Sequence, residues 1–257
     1  MIVSISNENL VAKIQTNGAE LISLINNATQ EEIIWEGSPL YWEKHSPILF
    51  PIVGSLKNNA YTYKDKVYKM LRHGFARDIA FETISKAENN VIFKLLSSDE
   101  TKLEYPFDFE LLVSFELIAN SLEISYSIKN IGNEVLPFSI GGHPAFALND
   151  DFENYSLAFQ DNETISCFKL KNNLIVKESE EINLKENKLP LTYSLFENDA
   201  IIIKQMETKQ ISILKNDKPF LKFEFDDFPN FGIWTKVGAP FICLEPWVGY
   251  ADTFETS

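Results

Sequence analysis

The feature that most limits the fold of this chain is the alternation of apolar and polar residues in its middle third. Apolar side chains recur at every second position on both sides of the short polar link Ala119-Asn120: Phe107, Phe109, Leu111, Val113, Phe115 and Leu117 before it, and Leu122, Ile124, Tyr126 and Ile128 after it. A period of two is typical of a β-strand with one buried face. The segment is therefore predicted to form an antiparallel hairpin.

Similar short apolar runs, separated by turn-forming residues, fill most of the remaining chain. They include Ile2 to Ile5, Leu10 to Ile14 and Leu21 to Ile25, a hairpin from Tyr61 to Met70, and several runs after residue 200. Short helices are expected only near Pro39 to Lys44 and Tyr193 to Glu197. Many strands at this spacing favour an all-β protein built as a large antiparallel β-sandwich. No linker or repeat interrupts the chain, so residues 1–257 are expected to form one domain.

Charge and cysteine content limit the partners. The net charge of −14 disfavours binding to nucleic acid or to an anionic membrane. The two cysteines, Cys167 and Cys243, have no metal-binding spacing and are expected to be buried free thiols in a reducing compartment. No signal peptide or membrane-spanning run is evident, so the protein is expected to be cytoplasmic. It is expected to be a monomer or a homodimer.

Three segments carry the ionisable side chains that are most suited to chemistry. Cys243-Leu244-Glu245-Pro246-Trp247 places a carboxylate beside an indole, and Pro246 is expected to end the strand there. His73 is followed by Gly74 in one cluster, and His143 stands between two glycines and Pro144 in another. The apolar loop from Ser46 to Gly54 is expected to pack beneath other elements, because surface loops are seldom so apolar.

Several kinds of site lack support in the sequence. The three histidines, His45, His73 and His143, have no common metal-ligand spacing, so no metal is expected. No nucleophile elbow, phosphate-binding loop or dinucleotide fingerprint occurs, so no cofactor is expected. What remains is acid–base chemistry by two histidines and Glu245 on an uncharged polyhydroxylated ligand. Aromatic side chains are expected to wall such a cleft: Trp35, Phe75, Phe146, Trp234 and Trp247.

The ordered segments His73-Gly74-Phe75-Ala76-Arg77, Gly142 to Phe146 and Cys243 to Trp247 resemble the aldose 1-epimerase, or galactose mutarotase-like, family. They are most similar to the branch typified by the LacX protein of lactose operons. The resemblance implies the β-sandwich of the galactose mutarotase type, called a supersandwich, with an open sugar cleft. It also implies interconversion of the α and β anomers of an aldohexose through ring opening.

The resemblance further implies roles for three residues. Glu245 matches the base that takes the proton of the C1 hydroxyl, His143 the acid that protonates the ring oxygen, and His73 a histidine that binds the sugar. A nearby carboxylate favours the charged form of an imidazole. We therefore expect His143 to be protonated near neutral pH and the rate to have a bell-shaped pH profile.

The sequence departs from better-known galactose mutarotases at the residues that hold the sugar hydroxyls. Lys57 or Arg77 is a candidate for their arginine, and Asp199 for their aspartate. Three alternatives therefore remain: a hexose-6-phosphate 1-epimerase, for which Lys57, Arg72, Arg77 and Lys236 are candidate phosphate ligands; a non-catalytic carbohydrate-binding protein; and a glycosidase. The last would need a second carboxylate at a fixed separation from Glu245.

Overall fold

A computed structural model describes residues 1–160 and 165–255 of the chain. The structure is dominated by short strands that follow one another along the sequence. In chain order they are β1 (Ile2–Ser6), β2 (Leu10–Gln15), β3 (Glu20–Asn26), β4 (Ile48–Leu49), β5 (Ala60–Tyr63), β6 (Lys66–Lys69), β7 (Glu82–Lys86), β8 (Asn90–Leu96), β9 (Phe109–Ile118), β10 (Ser121–Asn130), β11 (Ile140–Gly142), β12 (Ala145–Ala147), β13 (Tyr155–Ala158), β14 (Ile165–Lys171), β15 (Leu174–Ile182), β16 (Lys188–Pro190), β17 (Ile201–Ile203), β18 (Gln210–Lys215), β19 (Lys218–Glu224), β20 (Asn230–Trp234) and β21 (Phe241–Val248).

The strands form antiparallel sheets that pack on one another. The largest runs in the order β15-β14-β17-β20-β21-β11-β4, and β12 also pairs with β21. Two four-stranded sheets, β10-β9-β8-β7 and β16-β13-β18-β19, a three-stranded sheet β1-β2-β3 and the hairpin β5-β6 complete the fold. The expectation of an all-β, antiparallel architecture is therefore confirmed.

The alternation in the middle third is realised as the β9-β10 hairpin, in which Ser121 pairs with Ile118 and Asn130 with Phe109. The alternating apolar residues of β9, from Phe109 to Leu117, are buried, and those of β10 are half-buried against them. The first member of the alternating series, Phe107, precedes the strand and is also buried. Burial of one face fixes the register, because a shift by one residue would expose every apolar side chain.

Strand β21 lies in the interior of the largest sheet and is covered on both faces. Ile242 and Leu244 point into the main core, together with Phe231 and Ile233 of β20. The alternate residues Cys243, Glu245 and Trp247 must point to the opposite face, because successive side chains of a strand alternate. This second face carries the candidate site described below.

Local expectations were met unevenly. The hairpin at residues 60–69 and a 3-10 helix at Tyr193–Phe196 are present, whereas Pro39 to Lys44 forms turns. A one-turn helix, α1 (Thr101–Glu104), was not expected. The apolar loop around β4 is buried as expected. No helix within the described residues is long and apolar enough to cross a membrane.

Candidate active site

Glu245 is held near the middle of β21, and not at a strand end. The sequence predicted that the strand would stop at Pro246, but it continues to Val248 and Pro246 pairs with Phe231 of β20. On the other side, β21 faces β12 at Cys243 and β11 at Trp247, and these two strands are separated by His143-Pro144. Pro246 lies opposite that gap, so its missing N–H removes no ladder hydrogen bond, which explains why the prediction was wrong.

The same gap brings His143 to the carboxylate. His143 Nε2 lies 3.2 Å from Glu245 Oε1, and both residues are more than nine-tenths buried. The imidazole stacks on Trp42, with ring centroids 4.8 Å apart and planes at 29°, and contacts the edge of Trp234 at 5.8 Å. The two indoles therefore fix the plane of the imidazole, and its Nδ1 is buried with no hydrogen-bond partner among the described residues.

Burial sets the protonation of this pair. It raises the pKa of Glu245 to about 8, an effect that the charge of Arg72 opposes and that of Asp199 reinforces. Burial, with a smaller contribution from the positive charges of Arg72 and Arg77, lowers the pKa of His143 to about 3. The expectation that His143 is protonated near neutral pH is therefore wrong, because burial strongly disfavours its charged form. Both shifts disfavour the charged forms, so the pair shares a single titratable proton near neutral pH.

His73 is held by Gly54 in a defined tautomer. The backbone N–H of Gly54 donates to His73 Nδ1 at 3.1 Å, and the backbone N–H of His73 donates to the Gly54 carbonyl at 2.8 Å. Burial lowers the pKa of His73 well below its usual value, and the positive charges of Arg72 and Arg77 act in the same direction, so the ring is neutral. With Nδ1 as the acceptor, Nε2 must carry the hydrogen. That N–H faces Arg72 Nε at 3.1 Å.

Two donors thus meet at this point, since a guanidinium offers no acceptor. The Arg72 to His73 contact is consequently no true hydrogen bond in the neutral tautomer. The guanidinium is half-buried, and its contact with Asn173 is long, 3.4 Å from Nη1 to Oδ1. A ligand oxygen placed beside His73 Nε2 would supply the missing acceptor once Arg72 moves aside.

Trp247 lies flat across its neighbouring strands because two glycines leave room for it. A Cβ on Gly141 of β11 would come within 2.5 Å of the indole Cδ1, and a Cβ on Gly232 of β20 within 2.5 Å of Cζ2. Nε1 is buried and makes no hydrogen bond of normal geometry to the described residues, but its N–H lies near Glu245 and slightly opposes the rise in the pKa of that carboxyl group. The indole therefore packs beside the carboxylate without a full hydrogen bond to it.

The segment that carries Trp42 is attached to the fold by a buried carboxylate. Glu20 Oε1 accepts hydrogen bonds from the backbone N–H groups of His45, at 2.7 Å, and Ser46, at 3.0 Å. Burial raises the pKa of Glu20, but its hydrogen bonds with His45 and Ser46 outweigh this effect and leave the pKa below the ordinary value. The ionised form of Glu20 is therefore the one that holds this turn against β3.

His73, His143, Glu245 and Trp247 all line one cavity of about 670 Å³. This volume is within the usual range for small-molecule sites. Seven of the predicted site residues line it: His73, Arg77, His143, Asp199, Trp234, Glu245 and Trp247. Asp199 has a left-handed backbone with φ of 80°, a conformation that is uncommon outside glycine and concentrated at functional sites.

The structure places other predicted residues elsewhere. Lys57 is not among the cavity-lining residues, and its backbone N–H donates to Asp252. Trp35, Phe75 and Phe146 pack in hydrophobic clusters, so they do not form the cavity walls that we expected. Sequence reasoning missed Trp42 as a wall residue and Asn173 altogether, and it considered Arg72 and Lys236 only as phosphate ligands. The only sequence signal that could have indicated Arg72 as a site residue is its position directly before His73.

One group of side chains in the described residues has the composition of a metal site. His143, Cys243 and Glu245 each offer one ligand atom, and these atoms lie within 4.8 Å of one another. Histidine spacing could not indicate this group, because the other two ligand atoms come from β21.

Comparison with known proteins places the chain in a family. Residues 1–254 match the family model described as aldose 1-epimerase. The plasmid-encoded LacX protein of Lactococcus lactis is 32% identical over 99% of this chain and 90% of its own length, and the chromosomal LacX protein is 33% identical with the same coverage.

Two solved structures share the architecture across nearly the whole chain. A galactose mutarotase related enzyme from Lactobacillus acidophilus superposes with a TM-score of 0.93 at 32% identity, over all of this chain and 88% of the other. A galactose mutarotase-like protein from Lactobacillus casei gives a TM-score of 0.91 at 31% identity, over 98% and 89%. The β-sandwich is thus of the galactose mutarotase type, and the chain belongs to the aldose 1-epimerase family.

Proposed function

We propose that the protein is an aldose 1-epimerase that interconverts the α and β anomers of an aldohexose. The observation that carries the proposal is the 3.2 Å contact between His143 Nε2 and Glu245 Oε1 at the wall of the cavity. Ring opening of a hemiacetal needs one group that accepts a proton from the anomeric hydroxyl and one that donates a proton to the ring oxygen. The anomeric hydroxyl oxygen and the ring oxygen are both bonded to C1, so an acid and a base that lie 3.2 Å apart can reach both oxygens.

The proton count of the pair suits this reaction. Between the two pKa values, about 3 for His143 and about 8 for Glu245, the pair holds a single proton and therefore contains one donor and one acceptor. In the family mechanism Glu245 is the base and His143 the acid. In that mechanism the shared proton must lie on His143 Nε2 when the sugar is bound. Closure of the ring on the other face of C1 reverses both transfers and restores the pair.

Neighbouring side chains support a sugar as the ligand. The His73 Nε2–H and the Arg72 guanidinium are donors, whereas Asp199 is an acceptor, so hydroxyl groups have partners of both kinds in the same cavity. Trp42 and Trp234 give an apolar wall next to His143 for the C–H face of a pyranose. We propose that Arg72, Arg77 and Asp199 hold hydroxyl groups and that Lys57 does not.

The test is polarimetry of freshly dissolved α-glucose and α-galactose, with Glu245→Gln and His143→Asn in parallel. Each variant is expected to reduce kcat by about 10²–10⁴-fold, the usual contribution of one positioned acid or base. Above the Glu245 pKa of about 8 the pair has lost its proton, so the wild-type rate should decline between pH 7 and 9. Flat activity from pH 5 to 9, or wild-type rates equal to buffer, would contradict the proposal.

Hexose-6-phosphate 1-epimerase is the second candidate, because Arg72 and Lys236 line the same cavity. Measuring the mutarotation of glucose 6-phosphate beside glucose separates the two. A large preference for the phosphorylated sugar that disappears in Lys236→Gln would favour this candidate. A protein that binds sugar, tolerates Glu245→Gln and never accelerates anomer exchange would instead be a carbohydrate-binding protein.

A further inference from the structure

We infer that His143, Cys243 and Glu245 form a binding site for a thiophilic divalent cation such as Zn²⁺, and that the bound ion excludes the sugar. The three ligand atoms lie within 4.8 Å of one another, and two of them, His143 Nε2 and Glu245 Oε1, are 3.2 Å apart. Zinc–ligand bonds of ~2.0–2.3 Å at tetrahedral angles separate ligand atoms by roughly 3.3–3.7 Å. Side-chain shifts of about 1 Å would therefore complete the geometry.

Two of these residues lie on one strand, and the third lies just before a strand that pairs with it. Cys243 and Glu245 are two residues apart on β21 and so share one face of the sheet. Ala145 of β12 pairs with Cys243, which places His143, just before β12, above the same face. The thiol lies in a small apolar cluster with Trp35 and Phe241 and is fully buried. It is therefore protected from bulk oxidants while its sulfur remains next to the pair.

The charges and donor types select the ion. A thiolate and a carboxylate neutralise a divalent cation, so the loaded site has no net charge, which a buried position favours. The imidazole is neutral and has a lone pair available at Nε2. Sulfur and imidazole ligands suit Zn²⁺ and its thiophilic relatives, whereas Mg²⁺ and Ca²⁺ require oxygen ligands. Binding releases the protons of Glu245 and Cys243, so affinity should increase with pH.

The fourth coordination position would face the cavity, since His143 and Glu245 both line it. Three protein ligands and one open position are the arrangement of an accessible zinc site. The ion would occupy both proton-transfer atoms of the pair. The inhibitory consequence thus rests on the proposed function, whereas the binding itself does not.

Cobalt(II) is the probe for binding, because a cobalt–thiolate bond gives a charge-transfer absorption band that other ligands here do not. The reduced, chelator-treated protein is titrated with CoCl₂ alongside Cys243→Ser and a matched control, Cys167→Ser, whose thiol is on β14. Wild type and Cys167→Ser should give the band, Zn²⁺ should abolish it, and Cys243→Ser should lack it. If Cys243→Ser does not fold, Cys243→Ala, which better suits the apolar neighbourhood, replaces it.

Inhibition is measured by polarimetry with ZnCl₂ and, separately, MgCl₂. Zn²⁺ should raise the apparent KM without changing kcat, and Cys243→Ser should weaken this inhibition by about 100-fold, at least as much as loss of an outer-shell partner. Equal inhibition of wild type and Cys243→Ser, equal effects of Mg²⁺ and Zn²⁺, or absence of the cobalt band would overturn the inference. A Cys243-dependent band in a protein that accelerates no mutarotation would overturn the proposed function and leave the metal site standing.

Discussion

Replacing Glu245 with glutamine should remove activity and at the same time stabilise the fold. The physical reason is the pKa of about 8 in the native state against an ordinary value of 4.5. Below pH 4.5 the carboxyl group is protonated in both states and has no effect on stability. As pH rises through 4.5 the unfolded chain ionises freely while the native state does not, so stability is lost until the native group ionises at about pH 8.

The size of the effect follows from these two pKa values. The buried carboxyl group should lower the free energy of unfolding by about 3 kcal/mol at pH 7, but only by about 1 kcal/mol at pH 5. Glutamine resembles the protonated side chain and keeps a donor toward His143 without the ionisation. At pH 7 the variant should therefore melt roughly 6–12 °C above the wild type, using ~2–4 °C per kcal/mol for a chain of this size.

Urea unfolding at pH 5 and pH 7 measures the effect directly. Wild type is compared with Glu245→Gln and with Glu178→Gln, which changes an exposed glutamate of β15. The stability difference should grow between the two pH values for the first variant and stay near zero for the second. A variant no more stable than the wild type at pH 7, or a difference independent of pH, would refute the reasoning.

Three further outcomes follow from the packing around the site. Gly232→Ala should displace the indole of Trp247, because the new Cβ would lie 2.5 Å from Cζ2. The free energy of unfolding should fall by about 1–3 kcal/mol and kcat should also fall. An unchanged melting temperature would argue against the contact. Trp42→Ala should lower kcat/KM about tenfold by freeing His143, with partial recovery in Trp42→Phe, since an aromatic stack contributes ~0.5–1.5 kcal/mol. Glu20→Gln should destabilise the protein by ~1–3 kcal/mol at pH 7, and the difference should shrink as pH falls through the lowered pKa of Glu20; a difference that does not shrink on acidification would contradict this.

The strands were predictable because their signal is local. In β9, the alternation of apolar and polar residues from Phe109 to Leu117 directly predicts that every second residue is buried. The candidate acid and base were also identified, since glycine and proline mark the backbone around His143, and Glu245 stands in a recognisable motif.

What the sequence did not predict depends on contacts between distant segments. Trp42 lies in a turn that is positioned by Glu20, more than twenty residues earlier, so no local pattern indicates that its ring reaches His143. The protonation of the pair depends on how completely the surrounding segments exclude water, and this is a property of the assembled fold. The continuation of β21 through Pro246 likewise depends on a gap in the neighbouring strand about one hundred residues earlier.

The interior position of β21 has a consequence for biosynthesis. Its neighbours β11, β12 and β20 are translated before it, so a nascent chain exposes unpaired strand edges until residue 248 has left the ribosome. Open edges of this kind invite pairing with other chains, and long-range strand pairing is slow. The cavity that Glu245 lines should therefore form in a single late step, once β21 has joined the sheet, and not by degrees.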